Sequence, residues 1–302
     1  ADPSAIPAYL VCGAARRHAT VALSGDGADE LFAGYRRHRM FAAEERVRGI
    51  IPASLRAATF GRLGRVYPKL DWAPRALRFK TTLQALGEDE VGAYARAVSA
   101  SLPDRAAAMM SKDLRRSLKD FDPVNMIAGH TDDGLDPLSQ AQMIDIHSWL
   151  PGRMLTKIDR ASMAHGLEVR APFLDHRLAE WVFRTPPRFR ATLSTGKRIL
   201  KAALADRVDR ETLRARKRGF SPPVAAWLRD PGGPLRRLSQ SSRWRDSGVL
   251  DEAAVNAMAE RHAARSADYS QELWTVIMFD AFLRAETGAL EILPAAERFA
   301  AQ

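Results

Sequence analysis

One short apolar run that ends in two glycines constrains this chain more than any other feature. Val21-Ala22-Leu23 is followed by Ser24-Gly25-Asp26-Gly27-Ala28-Asp29-Glu30, and then by Leu31-Phe32-Ala33-Gly34-Tyr35. A strand that breaks at glycines and reopens as a helix points backbone N–H groups at whatever lies before that helix, which suits a phosphate. Asp26, Asp29 and Glu30 lie in the same stretch. Carboxylates repel a bare phosphate, so the anion reading requires a divalent cation between the two. A plain strand-to-helix turn, with Asp29 and Glu30 complementing the helix dipole, accounts for the same residues without a ligand. The loop alone leaves both readings open.

Around this strand the periodicity is helical. Ser4 is placed to cap a helix running to Arg17, with Ile6, Tyr9, Leu10 and Ala14 on one face. Residues 21–23 are apolar throughout, as a buried parallel strand requires. A second helix is predicted over 29–48, ending near Gly49 and Pro52. Helical segments broken by Pro and Gly follow, among them 88–101 and 104–119, with a loop rich in Asp, Gly and Pro over 120–137. Further helices are predicted over 139–150, 157–165 and 178–184, and over 224–228 with Ser221 as N-cap and Pro222 after it. Residues 229–248 read as a polar loop, Asp251 caps another helix, and 271–284 is apolar nearly all round, the pattern of a buried helix.

Composition narrows the function classes. A chain of 302 residues with 46% hydrophobic residues can build a sizeable core. Its single cysteine, Cys12, excludes a disulfide framework within the chain and fits a reducing cytoplasm. No run is long enough to span a bilayer and no signal peptide is present, so a soluble, cytoplasmic location and no membrane partner are expected. The net charge of +10 is spread over arginines on helical faces, with Arg214-Ala215-Arg216-Lys217-Arg218 the densest run. No helix-turn-helix, zinc-finger or aromatic-rich RNA-binding pattern accompanies it, so no nucleic-acid partner is expected. Gly196-Lys197 is not a Walker A loop, because Ala191 stands where its first glycine belongs and Arg198 follows the lysine.

Five segments in order then carry a resemblance. Ser24 to Arg37, Leu150-Pro151 with 155–164, 166–175, Lys217-Arg218-Gly219-Phe220-Ser221-Pro222-Pro223 and the segment from Glu272-Leu273-Trp274 to Arg284 together resemble the synthetase domain of the asparagine synthetase family. Matches spread over about 260 residues are far more specific than one motif. The resemblance implies a mainly α chain, the C-terminal, helix-rich part of an α/β adenine-nucleotide-hydrolase-like (ATP pyrophosphatase) synthetase domain with little residual parallel strand. It implies one partial domain over 1–302: nucleotide-loop strand and helices over 1–50, a helical insertion of the longer bacterial type over 51–137, and a helical core over 138–302. Family members also carry an N-terminal glutaminase domain and an S-G-G-x-D-S pyrophosphate loop. Neither pattern occurs in this sequence. The chain is therefore expected to be a truncated piece, inactive alone, that binds its missing N-terminal half or a second copy to cover the strand 21–23.

The family's chemistry assigns roles by position. ATP activates a carboxylate, aspartate or another acceptor, as an acyl-adenylate, and ammonia from the glutaminase domain displaces AMP. The resemblance places Ser24, Gly25 and Gly27 at the nucleotide and Asp29 at Mg²⁺. It places Asp26 facing the acceptor and the attacking ammonia, where a carboxylate can take a proton; a turn-forming Asp is the alternative. Lys217 corresponds to a lysine that stabilises charge as pyrophosphate leaves, against the plainer reading of a surface cation. Lys157, Asp159 and Arg160 are either acceptor-side support or an internal ion-pair network. Gly152-Arg153 departs from the acidic residues expected after Leu-Pro, and an arginine there can select a different carboxylate. Glu168, Arg170 and Asp175 are expected to form an ion-pair network around a turn. The rival readings are an amidotransferase or cyclase acting on another carboxylate in a polysaccharide or secondary-metabolite pathway, and a non-catalytic helical binding module.

Overall fold

A computed structural model describes residues 2–67, 79–101, 103–132, 134–215, 219 and 221–286. The chain divides into two compact units, one of 2–99 with 122–220 and the other of 100–121 with 221 onward. Described residues are mainly helical, with two short strands.

In the first unit, α1 (Ala5–Arg16) leads into β1 (Val21–Leu23), which pairs in parallel with β2 (Glu168–Arg170) in the register Val21↔Glu168, Ala22↔Val169, Leu23↔Arg170. Parallel pairing needs a long crossover, and here the crossover carries most of the unit. The inward residues Ala22 and Val169 pack on Ala8 and Cys12 of α1, Ala161 of the helix Thr156–Met163, and Leu167. Their neighbours face outward: Val21 is 40% and Leu23 74% exposed, so the expected burial of the whole strand is corrected to one face. β2 is not legible in the sequence, because its Glu-Val-Arg alternation is too short to separate from a loop. Ser4 precedes α1 as predicted, but its hydroxyl accepts from Lys157 Nζ at 3.0 Å instead of capping the helix.

The helix expected over 29–48 is two helices, α2 (Ala28–Leu31) and α3 (Arg36–Arg48). Ala33, at φ 51°, turns the chain between them. Conversely, the helices expected over 139–150 and 157–165 form one continuous run, from Pro137–Ile144 through a π-wound segment Asp145–Leu155 into Thr156–Met163. The wider winding takes Pro151, which lacks an N–H, without breaking the rod. Phe41 of α3 meets the buried Tyr94 edge-on at 5.3 Å, which docks the helix Glu90–Val98 onto α3.

A titration prediction arises at α3. Burial pushes the Glu44 carboxyl up to about 7, outweighing Arg48 at 3.8 Å. The folded state therefore holds a proton that the unfolded chain releases near pH 4.5, and the fold loses stability as pH rises from there to about 7. Glu44→Gln is expected to gain ~1–3 kcal/mol at pH 8 and nothing at pH 4, measured by urea unfolding. An equal gain at both values would show that charge is not the cause.

The second unit packs around Trp244, Val255, Leu273, Val276 and Leu228. The stretch 229–248, read as a loop, contains the helices Pro234–Gln240 and Arg243–Asp246. Buried Leu238 and Trp244 dock them, and the Trp244 indole donates to the Leu238 carbonyl at 3.2 Å. Asp251 caps Glu252–Ala263 as expected, accepting from Ala254 N at 2.9 Å. Pro223, not Ser221, occupies the cap position of Val224–Arg229. The last helix, Ser270–Glu286, buries Leu273, Trp274 and Val276 but leaves Phe282 56% exposed, so it is covered on one side rather than all round. No described helix is long and apolar enough to cross a membrane.

Candidate functional site

The loop after β1 is built by three local devices. Ser24 N donates to Arg170 O at 2.8 Å, which extends the parallel ladder by one rung. Ser24 Oγ accepts from Asp26 N at 3.4 Å, closing a tight turn. Gly27 precedes α2 at φ 88°, a left-handed conformation, and a Cβ there would lie 2.4 Å from Leu174 Cδ2. Gly27 is thus fixed by turn and packing. Beside Gly25 nothing lies within 4 Å of a Cβ position, so this part of the loop is open to approach.

α2 presents Asp29 to a partner far along the chain. Lys197 Nζ lies 3.0 Å from Asp29 Oδ1, with both side chains mostly buried. Lys197 itself is left-handed at φ 56°, its N–H donates to Phe32 O at 2.8 Å, and it precedes the helix Arg198–Ala203. Left-handed backbone costs about 1–3 kcal/mol for a residue with a side chain, so surrounding contacts must hold both Ala33 and Lys197 in place. Such strain is commonest at functional sites. Sequence spacing offers one cue to Lys197, the glycine before it.

Mg²⁺ prefers an octahedron of oxygens. Asp29 supplies one carboxylate already paired with an ammonium, and no cluster of three or more metal-capable side chains occurs among the described residues. The side chains present do not by themselves assemble a Mg²⁺ site.

A cavity of about 340 Å³ opens beside Ser24, lined by apolar Ile158, Met163 and Leu174 and by polar Ser24, Asp159, Ser162 and Glu168. Its size and mixed lining suit a small organic ligand. The cavity brings Asp159 to the same place as Ser24 but not Lys157 or Arg160. Lys157 is held by Ser4 Oγ and by Asp2 Oδ2 at 3.6 Å, whereas the Arg160 side chain is exposed. Lys217 lies outside the described residues.

Arg153 does not present a free guanidinium. Asp2 accepts from its Nε at 3.1 Å and from its Nη2 at 3.3 Å, and the Trp149 ring stacks 4.3 Å from its guanidinium carbon. Burial raises the Asp2 pKa, but hydrogen bonds from Arg153 and Ser4 outweigh it and bring the carboxyl down to about 2. The expected network at the β2 turn is two separate pairs: Arg170 with Glu168 at 2.8 Å, and Arg177 with Asp175, which caps His176–Arg184.

Comparison with known proteins gives this geometry a family. A family model described as asparagine synthase matches residues 1–284. A putative asparagine synthetase (glutamine-hydrolyzing) of Mycobacterium tuberculosis strain H37Rv is 33% identical over 92% of this chain and 41% of its own length. Asparagine synthetase (glutamine-hydrolyzing) 1 of Bacillus subtilis strain 168 is 30% identical over 92% of this chain and 42% of its own length. Amidase chry2 of Gibberella zeae is 25% identical over 71% of this chain. The chain thus spans about two-fifths of the length of the synthetases it matches. With a glycine loop at the end of a parallel strand, a lysine seated on the acid of the following helix and a family match over nearly its whole length, the chain belongs to the asparagine synthase family.

Proposed function

We propose that the polypeptide carrying this chain is an amide-forming ligase that adenylates a carboxylate, aspartate in the first instance, and transfers ammonia derived from glutamine to it. The observation that carries this reading is the Asp29–Lys197 pair set beside an open Gly25 at the end of a parallel strand. A carboxylate oxygen of the acceptor attacks the α-phosphorus of ATP, and the bond to pyrophosphate breaks. The nitrogen of ammonia then attacks the acyl carbon, the carbon–oxygen bond to AMP breaks with its electron pair, and Asp26 takes the surplus proton. Ser24 and the N–H of Gly25 hold the adenylate, while Lys197 and Lys217 offset phosphate charge during pyrophosphate departure. The cavity bounded by Ser24 and Asp159 accommodates part of the bound nucleotide or acceptor.

The test is carboxylate-dependent ATP–pyrophosphate exchange, run on the 302-residue chain and on the chain extended by the residues encoded upstream of Ala1. Exchange driven by aspartate is expected of the extended protein, and Lys197→Met is expected to lower it by about 10²–10³-fold. Exchange driven by a different carboxylate and not by aspartate would favour the second reading, an amidotransferase with another acceptor. That reading draws on the similarity to the Gibberella zeae amidase. No exchange with any carboxylate would leave the non-catalytic binding module.

A further inference from the structure

α2 is four residues long, so its last carbonyls have no partners inside the helix and must find them elsewhere. Each does. Asp29 O accepts from Gly34 N at 2.8 Å and Phe32 O from Lys197 N at 2.8 Å. The two between them, Glu30 O and Leu31 O, both accept from one side-chain amide, Gln142 Nε2, at 2.7 Å for Glu30. Gln142 is fully buried on the helix Pro137–Ile144. Its other end is fixed as firmly: Oε1 accepts from Arg190 Nη1 at 2.6 Å, and Arg190, also fully buried, donates from Nη2 to Ser139 Oγ at 2.6 Å. Asp136, the cap of Gln142's own helix, lies 3.5 Å from the same guanidinium. A guanidinium has no acceptor, so it admits only the carbonyl end of the amide. Arg190 therefore dictates that Nε2 points at α2.

A fully buried arginine costs free energy to desolvate, and among the described residues Asp136 is its single carboxylate partner. An apolar pair would fill the space more cheaply. What the polar pair supplies is orientation, because two carbonyls captured by one amide fix both the rotation and the axial position of α2. Between the captured carbonyls and the glycine loop lie only Ala28 and Asp29. We infer that Gln142, oriented by Arg190, is the positioning residue that aims the Asp29 carboxylate at Lys197. The step rests on the adenylation reading only for what that aim is used for; the aim itself is a property of the chain.

Backbone hydrogen exchange on the 302-residue chain tests it. Gln142→Met keeps the volume and removes both donors and the acceptor. Protection at Gly34 and Lys197, the amides bonded to Asp29 O and Phe32 O, is expected to fall about tenfold, while Ser24 and Ala179, bonded to Arg170 O and Asp175 O, change less than about twofold. An equal loss at all four amides would reduce Gln142 to a contributor to general stability and overturn the inference. Unchanged protection at Gly34 and Lys197 would overturn it as well. Should that variant not fold, Arg190→Met removes the group that orients the amide, and the same four amides decide. In the extended protein, Gln142→Met is then expected to lower the exchange rate constant for ATP and pyrophosphate with KM for the carboxylate unchanged. If the wild-type protein shows no such activity, the adenylation reading fails while the amide pattern still decides the positioning.

Discussion

Asp145→Ala is expected to lower the stability of the chain by ~3–5 kcal/mol, close to the whole margin of many domains. Asp145 is fully buried in the π-wound segment and serves two side chains of α3 at once, the Arg37 guanidinium and the His38 imidazole. Arg37 Nε donates to its Oδ2 at 3.0 Å, and His38 Nε2 lies 2.6 Å from the same oxygen. Burial raises the pKa of Asp145, but His38 and Arg37 outweigh it, so the carboxyl is held below its ordinary range. Burial dominates at His38 and lowers it, so the imidazole is neutral at pH 7 and donates its Nε2 proton to the carboxylate. Deleting Asp145 strands a mostly buried guanidinium and a fully buried imidazole, which costs more than the net worth of the bonds.

The signs of the two titrations agree. A depressed carboxylate pKa gives stability that is present above the unfolded value and lost as pH falls through the folded one. A depressed histidine pKa gives stability lost as pH falls below about 6.5, where the unfolded chain takes up a proton and the fold does not. Asp145→Asn keeps an acceptor in place and is expected to lose less, ~1–3 kcal/mol. Guanidinium unfolding at pH 7 reads both variants. A loss under about 1 kcal/mol for Asp145→Ala would mean that Arg37 and His38 find other partners, against the geometry above.

The contrast between what the sequence disclosed and what it hid follows the range of the interactions involved. The helix after Asp251 was legible because a cap acts over three residues, and the strand 21–23 because three apolar residues between a helix and glycines have few alternatives. The break after Leu31 was not legible. Ala33 is a helix-forming residue held left-handed by a partner that arrives from residue 197, so local propensity pointed the wrong way. Lys197 and Gln142 were missed for the same reason, since each meets α2 only after the crossover has folded back. The helix through Pro151 reads as two in the sequence because proline is a breaker there, whereas a π-wound turn accommodates it. Family resemblance reached the loop residues but could not say which members of the Lys157, Asp159 and Arg160 group face the Ser24 cavity; side-chain direction on Thr156–Met163 decides that.

At the second turn of the site, Gly196→Ala is expected to remove the Asp29–Lys197 pair and to cost ~1–3 kcal/mol of stability. A Cβ at residue 196 would lie 2.3 Å from Ala33 O and 3.1 Å from Gly34 Cα. Both atoms are backbone, so no rotamer change relieves the overlap, and one of the two turns must lift. The bond broken by lifting is Lys197 N to Phe32 O, the contact that seats Lys197 over α2. Lys197→Met separates the two consequences: it deletes the ammonium without moving backbone, so the Lys197 N to Phe32 O bond is expected to survive, while the mostly buried Asp29 carboxylate left behind costs ~1–3 kcal/mol. Both variants are then expected to lose carboxylate-dependent pyrophosphate exchange in the extended protein, one by displacement and the other by loss of charge. Hydrogen–deuterium protection of the Lys197 amide, lost in Gly196→Ala and kept in Lys197→Met, supplies the first comparison and the pyrophosphate-exchange assay the second. A Gly196→Ala protein with wild-type stability and wild-type exchange would mean that the turns can separate without consequence, and that the strained backbone at Ala33 and Lys197 has no part in building the site.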